Sequence, residues 1–338
     1  MNAPLVYVSA DIDGLESRTM AQCCLLLVGQ SELARVLNSG QDSHLLMASN
    51  MLGISYDEAV ARHADEKRRR SEAFDFFKGR APDGTGRLIP KPLSDAEASV
   101  RAGECVPCPV DDARQCGKIF NFGAPGGLGA EKLVLFARRS YKVTLTVERA
   151  KELKKTWLRT FPEFVKWFEY FSKNTETFRS FYSNRIRSGM HYAAACNNPF
   201  QSLGADSTGN VLFLLSEACY TETACRACKG VGCAWCKCTG VSILYGCRLV
   251  NYVHDDFLLE APEEIAHEVA FELLRIIEEG MAPYLPDVPA TAKPIVSRFW
   301  SKDAKQVWVS DPSAPPAPVK GKEGKRLVPW PFQESKAA

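Results

Sequence analysis

The stretch Arg114-Gln115-Cys116-Gly117-Lys118-Ile119-Phe120-Asn121-Phe122-Gly123 decides how the rest of the chain is read. Its pattern predicts a helix. Arg114, Lys118 and Phe122 fall at i, i+4 and i+8 on one helical face, with Gly123 after them. Two cations and one aromatic ring in a row suit a nucleoside triphosphate. The cations would meet phosphates and the ring would stack beside the sugar or base. A solvated basic face would produce the same spacing. The helix begins near Asp112 and should stop at Pro125-Gly126-Gly127.

Upstream, LVYVSADI alternates like a strand, and ESRTMAQCCLLLVG reads as a helix ended by Gly29. A second helix is expected in SHLLMASNMLG. From about Tyr56 to Asp112 the apolar pattern weakens. The basic run Lys67 to Arg70, the turn-rich APDGTG and several prolines suggest an insertion or long loop there. Downstream, mostly helical sequence runs from Glu131 to Tyr182, and a further helix is expected from Phe200 to Cys219. GCRLVNYVH and DDFLLEA read as two strands meeting at His254-Asp255. A helix opened by Pro262 should run to Gly280, and RFWSKDAKQVWV should form a last hairpin.

Two acidic positions stand out. Asp11 ends an apolar strand, and Asp255 and Asp256 sit at the turn between two others. If those strands are sheet neighbours, the carboxylates converge. Magnesium takes oxygen ligands of this kind, usually one or two carboxylates plus substrate phosphates. Two such ions about 3.5–4 Å apart activate an attacking hydroxyl and stabilise a leaving pyrophosphate. A lone strand-end Asp is more often a turn former, so the acids by themselves leave the matter open.

The 338 residues can bury a sizeable core, and a net charge of +2 advertises no strong overall preference for nucleic acid. Distribution is more telling. Between Glu131 and Met190 fourteen Lys and Arg face six Asp and Glu, fitting either a solvated helical face or a phosphate-tracking surface. The opening MNAPLVYVSADI lacks a basic region followed by a long apolar run, and no stretch reaches a membrane span. The thirteen cysteines are therefore expected as thiols or metal ligands in a reducing cytoplasm, bacterial or that of a phage-infected cell.

Several motifs, in order from about Tyr7 to Trp300, make the chain similar to family-A (DNA polymerase I-like) DNA polymerases. DIDGLESRTMA resembles the first palm motif. The resemblance makes Asp11 a metal ligand and Glu16 the residue that packs on the sugar and excludes a 2′-hydroxyl. DSH at Asp42 to His44 resembles the finger motif whose His contacts the triphosphate. RQCGKIFNFG resembles the fingers helix, so Arg114 and Lys118 would hold phosphates and Phe122 would flank the sugar and new base pair. NNPFQSLGAD resembles the minor-groove helix, implying primer–template contacts from Asn197 and Gln201. VHDD resembles the last palm motif, with His254 near the primer terminus, Asp255 a metal ligand and Asp256 an accessory acid.

The implied fold is α+β: an antiparallel palm sheet with inserted helical fingers and a small zinc-binding insertion, without thumb or exonuclease domains. The implied division is palm over 1–40, fingers over 41–150 with an insertion at about 56–112, palm again over 151–310 including a zinc-binding insertion at 221–240, and a flexible tail over 311–338. The implied activity is addition of deoxynucleotides to a primer 3′-hydroxyl on a DNA template, using two Mg2+ ions. Primer–template DNA and deoxynucleoside triphosphates are the expected partners, in replication of a phage-like genome.

Two departures stand against the family pattern. Gly126-Gly127, preceded by Pro125, replaces the usual Tyr-Gly, and Ala193 stands where an Arg is common. Few residues precede Asp11, which suggests either a split polymerase whose second polypeptide supplies thumb and exonuclease, the favoured expectation, or a fragment of a longer chain. A single-subunit RNA polymerase fragment is disfavoured by Glu16 and Phe122. A non-catalytic zinc-bearing DNA-binding subunit is disfavoured by the intact Asp11, Arg114, Lys118 and Asp255.

CRACKGVGCAWC supplies Cys225, Cys228, Cys233 and Cys236 as two Cys-x2-Cys pairs. Each pair can form a tight turn whose amides face the sulfurs, and four thiolates suit tetrahedral Zn2+. The loop resembles the Cys-x-x-Cys-x-Gly-x-Gly knuckle of zinc-binding chaperones. A site closed by four thiolates leaves no open position, so one structural zinc is expected there. Cys238 is a spare, and Cys105 with Cys108 would be half of a second site.

Overall fold

The computed structural model describes residues 4–79 and 92–331. The expected APDGTG turn and the end of the expected tail, 332–338, lie outside the described residues. The chain opens with strand β1 (Leu5–Ile12) and helix α1 (Leu15–Val28). Then come α2 (Glu32–Asn38), α3 (Ser43–Leu52), α4 (Tyr56–Phe77), α5 (Asp95–Cys105) and α6 (Pro109–Gly123). Helices α7 (Ala130–Tyr141), α8 (Val147–Thr160) and α9 (Glu163–Lys173) follow, then the hairpin of β2 (Thr177–Arg179) and β3 (Ile186–Ser188). Helix α10 (Tyr192–Tyr220) leads to β4 (Arg248–Val253) and β5 (Asp256–Pro262). The last elements are α11 (Ala266–Met281), β6 (Ala292–Ser297), β7 (Val307–Ser310) and β8 (Lys325–Val328).

Backbone proximity divides the chain into two units. The sheet unit holds the described parts of Met1–Thr19, Ser180–Asn184 and Phe200–Ala338. The helical unit holds Met20–Arg179 and Arg185–Pro199, again in their described parts.

In the sheet unit, the four described strands of the main sheet run in the order β4-β5-β1-β6, and every neighbouring pair is antiparallel. Val6, Val8, Ala10 and Ile12 of β1 are each at most 1% exposed. The period of two therefore turns Asp11 to the opposite, solvent-facing side. Helix α11 packs on β1, β5 and β6, and its apolar face includes Val269, Leu273, Ile276 and Ile277, all fully buried. It also buries Glu268 and Glu272, which need charged partners at such depth. Glu268 has Lys237 and Arg326; Glu272 has Arg226 and Arg275.

The hairpin expected in RFWSKDAKQVWV is not formed. Strand β6 pairs with β1, and β7 pairs with β8. Strand β8 also replaces the flexible tail expected from Asp311. Arg326 on it reaches Asp311 and the buried Glu268, and its Leu327 amide donates to His267 Nδ1. Burial of a paired carboxylate binds this segment to α11.

In the helical unit, the stretch expected as a loop or insertion at 56–112 contains α4 and α5. Ser55 and Ser94 cap their N-termini, the latter in a capping box with Glu97. The charged surface of α4 is laced by Arg62–Glu58, Arg68–Glu72 and Arg69–Asp65 pairs. Leu45, Ala48, Ala59, Val110 and Ala113 join α3, α4 and α6 in one apolar cluster. Helices α8 and α9 add an aromatic core of Trp157, Phe161, Phe164, Trp167 and Phe171. With Ala150, Leu153 and Trp157 inward, Arg149, Lys151, Lys155 and Arg159 form the outer side of α8, while the half-buried Lys154 donates to the Leu128 carbonyl.

Among the described residues no helix is long and apolar enough to cross a membrane, and all thirteen cysteines are free thiols.

Candidate active site

Three carboxylates meet at one end of the main sheet. Asp11 on β1 lies directly opposite Asp256 on β5, so both side chains share a face. Asp255 occupies the two-residue turn between Val253 and Asp256, and its carbonyl accepts from the Ile12 amide at 3.0 Å. That contact ties the turn to the end of β1. The first turn residue, His254, has φ +60°, a left-handed conformation that hairpins of this length usually give to Gly.

The carboxylates crowd one another. Asp11 shares a side-chain hydrogen bond with Asp255, and its carboxyl is pushed up to about 6 by burial and by the charges of Asp255 and Asp256. Burial and the Asp255 charge also raise Asp256, against a hydrogen bond with Trp300. Asp256 Oδ1 is buried without a hydrogen-bond partner. An acidic oxygen set with an orphaned buried oxygen fits a hard divalent cation.

Two recesses flank the Asp255 turn, and His254 and Asp255 line both. One, of about 520 Å3, is lined by Glu16, Thr19, Gln201 and Tyr252. There Gln201 Nε2 donates to Glu16 Oε1 at 2.9 Å. The other, of about 580 Å3, holds Asp11, Asp256, Lys293, Trp300 and Lys302. Arg18 braces the turn after β1 through the Asp13 carbonyl and Thr291.

The helical unit carries the second group of expected residues. Asp42 caps α3, accepting from the His44 and Leu45 amides, and its other oxygen takes both Nε and an NH2 group of Arg114 on α6. Burial opposes ionisation of Asp42, but the Arg114 hydrogen bond and charge outweigh it and hold the carboxyl below its usual range. Arg114, expected to serve phosphates, is thus engaged by a carboxylate that the motif reading left without a role. An Asp in N-cap position was the signal available. Burial and the Arg114 charge lower the Lys118 ammonium.

The close approach of α3 and α6 requires Gly117, where a Cβ would lie 2.6 Å from the His44 carbonyl oxygen. This brings the His44 ring 5.4 Å from Phe122. Burial, then Arg114 and Lys118, lower His44 to about 4, against the pull of Asp42. Asn121, which the sequence reading passed over, places its Nδ2 2.8 Å from His44 Nδ1. Asn197 donates to the Ala193 carbonyl and lies over Gly126, where a Cβ would sit 2.5 Å from its amide nitrogen. The expected residues divide between the units: Asp11, Glu16, Gln201, His254, Asp255 and Asp256 belong to the sheet unit, and His44, Arg114, Lys118, Phe122 and Asn197 to the helical unit, where Asn197 lies against Gly126.

The four-cysteine knuckle forms a cluster whose sulfurs all lie within 4.8 Å of one another. The contacts Cys225–Cys233, Cys228–Cys236 and Cys233–Cys236 are 4.0, 3.8 and 3.9 Å. A tetrahedron with Zn–S near 2.3 Å has edges of about 3.8 Å, so the donor set fits zinc. Amides of Gly232, Cys233 and Gly240 point at the sulfurs. Burial resists ionisation, yet the Cys233 and Gly240 amides bring Cys236 down to about 6, while burial pushes Cys225 up to about 12. Trp235 of the knuckle stacks on His267 of α11, with Arg275 4.3 Å above the indole. Among the described residues Cys105, Cys108 and Cys238 join no such cluster.

No protein-family model matches the chain. DNA polymerase I of Aquifex aeolicus (strain VF5) is 26% identical over 197 residues, which is 57% of this chain and 30% of that protein. The polymerase domain of Pol1 from M. smegmatis, solved with DNA primer-template and dNTP, superposes with a TM-score of 0.51 at 19% identity. It covers 87% of this chain, which spans 40% of that one. The chain has a family-A DNA polymerase-like fold.

Proposed function

We propose that the protein is a DNA-templated DNA polymerase that adds deoxynucleotides to a primer 3′-hydroxyl. The convergence of Asp11 and Asp255 at the ends of neighbouring strands carries this reading. Asp11 and Asp255, with Asp256 as an accessory acid beside them, would hold two Mg2+ ions, which when bound lower the pKa of the attacking hydroxyl and offset charge on the phosphate oxygens.

The protein's own groups position and discriminate. Glu16, held by Gln201 at the edge of a recess that Asp255 also lines, presses on the sugar and excludes a 2′-hydroxyl. Lys118 binds the triphosphate, and its lowered pKa suits it to give a proton to departing pyrophosphate. Phe122 offers a ring for the sugar and base. Arg114 reaches phosphate only by sharing or leaving Asp42. His254 and Gln201 contact the primer–template from the sheet unit, and Asn197 from the helical unit. Cys225, Cys228, Cys233 and Cys236 hold one structural zinc, whose stoichiometry mass spectrometry of the native protein measures.

Primer extension tests the reading. The wild type should extend a labelled primer with deoxynucleotides in Mg2+, and Asp255→Ala should lose at least about a thousand-fold in rate, as expected when a main electrostatic contributor is removed. Equal extension by both proteins would overturn the assignment.

A further inference from the structure

Trp157, Asn121 and His44 form a chain of hydrogen bonds that nothing in the proposed chemistry assigns. Trp157 Nε1 donates to Asn121 Oδ1 at 2.9 Å. Asn121 Nδ2 lies 2.8 Å from His44 Nδ1 and 3.3 Å from Ser43 Oγ. Trp157 is 1% exposed and Asn121 is 5% exposed, so neither has bulk water as an alternative partner.

The chain has a direction. An indole nitrogen can only donate. The Asn121 atom facing Trp157 must therefore be the carbonyl oxygen, which removes the usual ambiguity in placing an amide. The amide nitrogen then faces His44 and can only donate. His44 Nδ1 must accept, so it carries no proton. In the neutral ring the proton therefore sits on Nε2.

We propose that Trp157 and Asn121 are positioning residues that lock His44 in its neutral Nε2–H tautomer, making it an uncharged hydrogen-bond donor to the triphosphate of the incoming nucleotide. The part concerning the triphosphate rests on the proposed polymerase activity; the tautomer itself does not. A second proton on His44 would set Nδ1–H against the Asn121 amide protons. The charged groups acting on the ring agree. Arg114 and Lys118 on α6 oppose protonation, and only Asp42 on its own helix favours it. The site then gains a donor without adding a third cation to Arg114 and Lys118. Its hydrogen bond stays constant over the pH range in which an ordinary histidine changes charge.

Nitrogen-15 NMR of the full-length protein labelled at histidine tests this without reference to activity, with His44→Gln used to assign the resonance. The wild-type ring should show a protonated Nε2 and a bare Nδ1, with no second proton between pH 8 and pH 5. A protonated Nδ1, or a ring titrating near pH 6.5, would overturn the proposal. Asn121→Asp supplies the functional arm, because a carboxylate facing Nδ1 accepts where the amide donates. The ring should then titrate nearer its ordinary range, and KM for deoxynucleotide should become pH-dependent between pH 5.5 and 8. An Asn121→Asp protein with the wild-type tautomer and a flat KM profile would refute the lock. Absence of extension by the wild-type protein at every pH, with its own His44 ring in the expected tautomer, would count against the polymerase reading and leave the lock intact.

Discussion

Replacing Asp11 by Asn should stabilise the magnesium-free protein while removing its activity. Asp11 is raised from its ordinary 3.8 to about 6 by burial and by Asp255 and Asp256. At about 1.4 kcal/mol per pKa unit the shift corresponds to at most about 3 kcal/mol. The side chain is exposed, and solvent screening reduces this to about 1 kcal/mol. The folded state holds the proton more tightly than the unfolded chain. The contribution is therefore fully present below about pH 4 and lost as pH rises through about 6. At pH 8 the wild type bears the whole repulsion and Asp11→Asn does not. A gain of about 1 kcal/mol raises the melting temperature by about 2–4 °C for a unit of this size. Thermal unfolding by circular dichroism, in buffer without magnesium at pH 4, 6 and 8, should show the gap between the two proteins opening across the series. Magnesium should then raise the wild-type transition and leave that of Asp11→Asn in place. A variant melting at or below the wild type at pH 8, or a gap independent of pH, would refute the account of crowded carboxylates.

Other perturbations reach different parts of the molecule. Arg326→Ala strips a partner from the fully buried Glu268 and should cost about 3 kcal/mol in urea unfolding; because the Glu268 pKa is depressed in the fold, the wild-type advantage should shrink as pH falls through that folded value. Gly117→Ala forces a methyl against the His44 carbonyl and should destabilise the helical unit by about 1–3 kcal/mol, read in the same assay. Withdrawing zinc held at about a thousand times its Kd should cost about 4 kcal/mol, with the transition restored by adding zinc back. Glu16→Ala should admit ribonucleotides, seen as a fall of at least about ten-fold in the deoxy-to-ribo ratio of kcat/KM, because the acid held by Gln201 is gone.

The sequence displayed those parts of the molecule whose chemistry is local. An acid at the end of an alternating strand, a Cys-x2-Cys pair repeated after four residues, and cations spaced by one helical turn each announce themselves within a few positions. What it hid depends on partners far along the chain. Helices α4 and α5 carry few apolar residues, so their period is faint; serine caps and i, i+4 charge pairs were the legible traces. Strand β8 sits in a Pro- and Lys-rich run, and its anchor Glu268 lies 58 positions away. Helix α10 begins at Tyr192 and continues through Pro199, whereas the proline favoured a start at Phe200. The pairing of Arg114 with Asp42 escaped because the two lie 72 positions apart.

At Gly117 two main chains touch with no side chain between them. A joint of that kind resists sliding, because any shift in register drives the wider neighbours of Gly117 into the carbonyl of His44. Helices α3 and α6 must therefore travel together. The His44 imidazole, the Lys118 ammonium and the Phe122 ring are thereby carried as one rigid piece, fixed to each other by backbone and not by adjustable side chains.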